Sequence, residues 1–159
     1  MKTIILLGGL MLVGNLPGKA QSTGNAIPAQ TAIFPKGDKA PATNFTGTVW
    51  VQTLVPNDST MNCLVGSVTF EPGARSNWHT HPTGQILLIT AGTGYYQEKG
   101  KPIQIMHMGD VFKCQPNIEH WHGASPTSMM SHISILPNME KGNAVWLRKV
   151  TDQEYNNLK

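Results

Sequence analysis

From Phe45 onward the chain alternates between short apolar runs and polar breaks. TGTVWVQTLV, LVGSVTF, QILLIT, GYYQE, PIQIM, DVFKC, EHWHG and MMSHISI are rich in β-branched and aromatic residues. Gly, Pro, Asn or Asp separates most of them, in EPGA, AGTG, EKGKP, HMGD, QPN and SPT. Runs of this length with regular turn signals predict an all-β sandwich or barrel. A helical pattern shows only at the end. Thr151-Asp152-Gln153-Glu154 has capping-box spacing ahead of Tyr155 and Leu158, which predicts one short C-terminal helix. The sequence has no internal repeat and no long amphipathic helix.

Before Phe45 the pattern is different. Met1-Lys2 is a short basic start, Thr3 to Val13 is mostly apolar, and Gly18-Lys19-Ala20 places small residues at −3 and −1 of a cleavage site. Residues 1–20 are therefore predicted to be a signal peptide cut before Gln21, with a secreted or periplasmic product. The apolar run is too short to span a bilayer and is broken by glycines, Asn15 and Pro17. Residues 21–43, rich in Pro, Ala, Thr, Ser and Gly, read as an extended arm. Residues 44–159 read as one domain, long enough to bury a core.

Removing the peptide changes the charge. The full chain carries +3. Loss of Lys2 and Lys19 leaves ten basic residues against nine acids, a net charge of +1. No Lys/Arg run suits nucleic acid, and no membrane association is expected after cleavage. The two cysteines, Cys63 and Cys114, would be free to pair in an oxidising compartment, but they have no zinc-type spacing. A disulfide and two separate thiols both remain open.

The candidate chemistry lies in the histidines. On a strand, residues i and i+2 share a face. His79 and His81 are thus expected to project together, with Trp78 and Thr80 opposite. His120 and His122 repeat the arrangement around Trp121. Neutral imidazole is the commonest metal ligand. Two His-x-His pairs in a chain with only six histidines predict a metal site.

These residues carry a resemblance. Gly73, His79, His81, Gln85 and Gly92 match the spacing of the first motif of the cupin superfamily, G-x5-H-x-H-x3,4-E-x6-G, with glutamine in place of glutamate. Gly109 and His120 match the second motif, G-x5-P-x-G-x2-H-x3-N. There Gln115 stands in the proline position beside Pro116, Asn117 in the glycine position, and Ala124 replaces the final asparagine. Asparagine is the other residue that tolerates positive φ in a turn. The resemblance covers about Phe45 to Leu136. It implies a small antiparallel β-barrel of jelly-roll type, with a metal held inside by His79, His81, Gln85 and His120.

The glutamine has an electrostatic consequence. Three neutral histidines and a carboxylate leave a divalent ion with a formal charge of +1, whereas three histidines and an amide oxygen leave +2. Gln85 thus makes the ion more electrophilic and suits it to an anionic ligand. It also removes a carboxylate base, so another residue must handle protons.

A narrower resemblance is carried by FTGTV from Phe45, VTFEPGAR, WHTHP-x-GQ, HWHGA and SHISI. These look like the bacterial cupin-type hydroxynitrile lyases, which cleave a cyanohydrin to a carbonyl compound and hydrogen cyanide. That resemblance implies an enzyme acting on a small molecule. The divalent ion would be Mn2+ first, with Zn2+, Fe2+ or Ni2+ as other occupants. A late-strand histidine serves as the acid–base group and maps to His132; His122 faces the same cavity. Dioxygenase-type oxidoreductase chemistry with iron is one alternative, and a non-enzymatic small-molecule sensor or carrier is another. The resemblance further implies a homodimer or a multiple of one, paired through the Phe34 to Trp50 region. His107, in a turn, is expected at the surface. The four tryptophans are read as core or interface aromatics, and the methionines as packing.

Overall fold

The computed structural model describes residues 33–158. The predicted signal peptide, 1–20, and the first part of the arm, 21–32, lie outside the described residues. In chain order the strands are β1 Asp38–Lys39, β2 Phe45–Thr46, β3 Val49–Val55, β4 Cys63–Phe70, β5 Arg75–Ser76 and β6 His79–Thr80. They continue with β7 Gln85–Glu98, β8 Gln104–His107, β9 Val111–Cys114, β10 His120–Ala124, β11 Met130–Pro137 and β12 Val145–Trp146. One short α-helix, α1 Asp152–Tyr155, follows.

All strand pairs are antiparallel, and the backbone of the sheet runs β1-β3-β4-β11-β7-β10-β5-β2. β8 and β9 add to β7, β6 adds to β10, and β12 adds to β6. The sheet curls into a half-barrel, as the alternating pattern predicted. The end of the arm joins it: Asp38 and Lys39 pair with Val51 and Trp50.

One predicted turn is not a turn. QILLIT and GYYQE form a single strand, β7, with AGTG inside it. Its first half pairs with β11 and β9, its second half with β10 and β8. The glycine makes the change of sheet possible. Gly92 has φ +70°, and a Cβ there would meet the Met129 carbonyl oxygen at 1.8 Å. A register shift between Ser131 and His132 accommodates the same bend. Turn residues inside an apolar pattern here mark a bend between sheets rather than a chain reversal.

Side-chain parity places the interior. Val51 and Thr53 of β3, Leu64, Gly66 and Val68 of β4, and His132, Ser134 and Leu136 of β11 line one cavity. On the other face, Thr69 and Ser131 join hydroxyls at 2.7 Å and Ile133 is buried. Phe70, fully buried, belongs to the main core with Val49, Leu87, Ile89, Met106 and Met130. Burying such a side chain stabilises by roughly 1.5–3 kcal/mol.

A second core lies behind the histidine strands. Trp78 and Trp121 pack there with Ile103, Val150 and Tyr155, and Trp121 Nε1 donates to Gln97 Oε1 at 2.8 Å. The predicted cap is present: Glu154 N–H donates to Thr151 Oγ1 at 3.1 Å, and Thr151 N–H donates to Glu154 Oε2 at 2.9 Å. Arg75 ties this tail to β5. Its guanidinium lies 4.6 Å from the Tyr155 ring centroid and pairs with Asp152 at 2.5 Å.

Candidate metal centre and its cavity

His79 of β6, Gln85 of β7, His122 of β10 and His132 of β11 line one cavity. His79 on β6 pairs directly with His120 on β10. His81 was expected on the same strand, but β6 ends at Thr80 and His81 begins the Pro82–Gly84 turn, its carbonyl accepting from Gly84 and Asn117 N–H. Its ring enters the cavity all the same. Asn117 sits at φ +61°, as its place in the glycine slot predicted.

Three of the rings are fixed in the same way. His79 Nδ1 bonds the Asn77 carbonyl, His81 Nδ1 the Asn143 carbonyl and His120 Nδ1 the Ile118 carbonyl, each at 2.9 Å. A carbonyl can only accept, so each Nδ1 carries the proton and each Nε2 presents a lone pair. Histidines that ligate metals are commonly held in this way. His81 Nε2 is buried and has no hydrogen-bond partner. Gln85 Nε2 donates to Ser134 Oγ at 2.8 Å, which turns Oε1 toward His120 Nε2, 3.4 Å away.

Burial holds these imidazoles neutral. It pushes His79 and His122 well below the ordinary histidine pKa, lowers His81, and takes His120 and His132 to about 4. Neutral imidazole is the form a metal requires. Among the described residues, no Asp or Glu lines the cavity.

Proximity and tautomer select different sets. The nearest-lying ligand atoms, all within 4.8 Å, belong to His79, His120 and His122, so the chain contains a three-histidine group able to bind a metal ion. His81 falls outside that trio, with its ring 5.0 Å from His79 and 5.6 Å from His120. His122 Nδ1, however, has no carbonyl partner. The carbonyl bond fixes where a lone pair points, and it marks His79, His81 and His120, with the Gln85 oxygen beside them. Neutral imidazoles with buried lone pairs suit a divalent ion.

His122 and His132 form a separate pair. Their centroids are 4.9 Å apart, and Phe70 lies beneath both, at 5.6 and 5.8 Å. His132 is fully buried, and neither of its ring nitrogens has a hydrogen-bond partner. Parity along β11 brings it into the cavity, with Ile133 on the opposite face, as expected. His107 is exposed.

Three contributors carried little or no sequence signal. Asn143 acts through its carbonyl, which any residue could supply. Trp146 was read as a core or interface aromatic. It is not a core residue: it is 38% exposed and lines the cavity, 4.9 Å from the His79 ring. Ser134 could have been found by parity, two residues after His132. Cys63 and Cys114 are both free thiols.

A curled antiparallel half-barrel with histidines from facing strands converging inside it defines a metal-site β-barrel of the double-sheet kind. The chain belongs to the cupin family. The Cupin domain model matches residues 66–135. The chain is similar to a protein named (R)-mandelonitrile lyase from Granulicella tundricola, with 44% identity over 117 residues, covering 74% of this chain and 89% of that one. It is similar also to a cupin-like protein from Thermotoga maritima of known crystal structure, with 47% identity and a TM-score of 0.79, covering 81% and 98%. A predicted oxalate decarboxylase from Thermotoga maritima shares the fold, with 18% identity and a TM-score of 0.57, over 69% and 91%.

Proposed function

We propose that the chain is a metal-dependent lyase of the hydroxynitrile lyase type, splitting a cyanohydrin or a related hydroxy compound. The observation that carries this reading is the place of His132: a buried imidazole, held neutral by burial, that lines the same cavity as His79, His81 and Gln85. The similarity to a mandelonitrile lyase supports it. Fold alone would not.

In this reading His79, His81, His120 and Gln85 hold the ion. A divalent cation there, Mn2+ first, would supply Lewis acidity, stabilising negative charge that develops on a substrate oxygen. His132 takes the hydroxyl proton. The O–H electron pair becomes the second bond of the carbonyl, the carbon–carbon pair leaves with cyanide, and the proton passes to cyanide as hydrogen cyanide. His122 packs beside His132 and walls the same space. Among the described residues no carboxylate lines the cavity, which leaves imidazole as the acceptor, and burial keeps His132 in the neutral form that can take a proton.

The test is elemental analysis of the purified protein together with aldehyde release from mandelonitrile. Expected are a bound transition metal and metal-dependent release. Oxygen uptake with iron and no release would favour the dioxygenase. Bound metal with tight small-molecule binding but no turnover would favour a sensor or carrier.

Export and pairing belong to the same proposal. Mass spectrometry of exported material should find Gln21 at the N-terminus. A homodimer through the Phe34 to Trp50 region is expected in size-exclusion with light scattering; Phe34, 37% exposed, lies at its start.

A further inference from the structure

As a metal ligand Gln85 uses one end of its amide, and the other end is engaged too. Nε2 donates to Ser134 Oγ at 2.8 Å, while Oε1 lies 3.4 Å from His120 Nε2. The proton of His120 is on Nδ1, bonded to the Ile118 carbonyl, so His120 Nε2 and Gln85 Oε1 face each other with lone pairs. With nothing between them, the amide would gain by turning end for end. Its N–H would then reach His120, and its oxygen would accept from Ser134. A cation between the two lone pairs removes that alternative. The oxygen stays at the histidines and the N–H stays on Ser134.

That orientation decides what Ser134 can do. A hydroxyl has one proton to give. Toward an amide N–H it is the acceptor, and its own proton is left to donate elsewhere. Among the described residues no group takes that proton. The Gln85 amide is the one partner of the hydroxyl, and neither ring nitrogen of His132, two residues back on the same face of β11, is bonded to it. Ser134 is buried and lines the cavity with His132. Its register partner on β4 is Gly66, so no side chain stands beside it there. Gly66 lines the cavity as well, and a Cβ on it would make only an ordinary contact, 3.6 Å from the Gln52 carbonyl oxygen. A glycine inside a strand often marks a place where a ligand comes close.

We infer that Ser134 is an anion-binding residue of the cavity: its hydroxyl, held as an acceptor by the Gln85 amide, donates its proton to a small anion bound beside the cation. Glutamine is what makes this donor available. A glutamate in the same place would accept, and would take the Ser134 proton for itself. The donor is also strengthened in series, because a cation on the amide oxygen polarises the N–H, and the N–H polarises the hydroxyl. The inference rests on the ligand set proposed above but does not require turnover. In the lyase reading the anion is the departing cyanide.

The experiment reads binding first. Azide is titrated by calorimetry into the Mn2+-loaded wild type, Ser134→Ala, Ser134→Thr, Gln85→Glu and the double variant Gln85→Glu with Ser134→Ala. Metal content is measured for each. Ser134→Ala should keep its metal and weaken azide by about ten- to a hundredfold, the scale of a hydrogen bond to a charged group. Ser134→Thr, which keeps the hydroxyl, should bind azide almost as the wild type does. Gln85→Glu should also weaken azide, and removing the hydroxyl in that background should add little. Such non-additivity is the signature of a hydroxyl that acts through the amide. For mandelonitrile, Ser134→Ala should lower kcat more than it raises KM, because the charge on cyanide appears only as the bond breaks. A wild type that binds no azide overturns the proposal, as does Ser134→Ala binding azide equally well or a full Ser134 effect in the Gln85→Glu background. Loss of metal in Ser134→Ala also overturns it, since the hydroxyl would then serve only to hold Gln85. Ser134-dependent azide binding in a protein that releases no aldehyde from mandelonitrile keeps the anion site and sinks the lyase reading. Aldehyde release without Ser134-dependent azide binding does the reverse.

Discussion

The two His-x-His pairs have the same spacing, yet the chain treats them differently. In the first pair both rings are locked, His79 by the carbonyl of Asn77 and His81 by that of Asn143. In the second, only His120 is locked, by Ile118, while His122 Nδ1 has no partner and its ring turns toward His132. A carbonyl behind Nδ1 fixes the lone pair on Nε2 and makes a ligand. Without that carbonyl, an imidazole is free to exchange a proton. In the proposed function the second pair thus spans two roles, His120 holding the cation and His122 walling the space beside His132, a division that spacing alone does not mark.

The hardest test of that boundary is to remove one ring from each side. His79→Ala and His120→Ala should lose most of the bound metal, whereas His122→Ala should keep it, as measured by elemental analysis after gel filtration. Metal loss in His122→Ala with retention in His81→Ala would reverse the assignment in favour of the closer-lying trio.

The next largest effect is expected at His132. His132→Ala should keep metal and fold but lose about 10²–10⁴ in turnover, the usual scale for a general base. Retention of near-wild-type cleavage would make His132 structural and shift attention to His122. Gln85→Glu is a subtler change, preserving shape and a ligand oxygen while lowering the site's charge by one. Metal binding should hold or tighten and turnover should fall by a smaller factor. Unchanged turnover would show that the neutral ligand is incidental.

The smallest expected effect lies behind both pairs, where α1 anchors the tail over Trp78 and Trp121. Hydrogen bonds from Arg148, more than from Thr151, take the Glu154 carboxyl down to about 2. Its folded pKa lies below the unfolded value of about 4.3. Its contribution to stability is therefore complete above that value and is lost as pH falls toward 2. Glu154→Gln should narrow the stability difference between pH 6 and pH 2.5 in denaturant melts, and Thr151→Ala should cost about 1 kcal/mol at pH 7. Both should leave metal content unchanged.

Much of the site was legible because strand parity is strict. Histidines at i and i+2 share a face on a strand, which puts the preceding Trp78 and the intervening Trp121 on the other, and both tryptophans do go outward. Asn117 could be placed at positive φ because few other residues tolerate it. What was not legible depends on backbone or on distance. The Asn143 carbonyl leaves no trace in residue identity. Trp146 meets His79 across a stretch with no motif, and AGTG looks the same whether the chain reverses or bends from one sheet to the other.

The lock on His81 comes from a carbonyl 62 residues downstream, and the wall beside His79 comes from the same late segment. The cation site is therefore incomplete until nearly the whole chain has folded, and long-range strand pairing of this kind is slow. If the proposed ligand set holds an ion, its capture would follow the closing of these late contacts. In a chain that crosses a membrane before it folds, the ion bound first is drawn from the pool on the far side. Location, as much as ligand chemistry, would then decide which metal this barrel carries, and the same sequence folded in two compartments should emerge with two different ions.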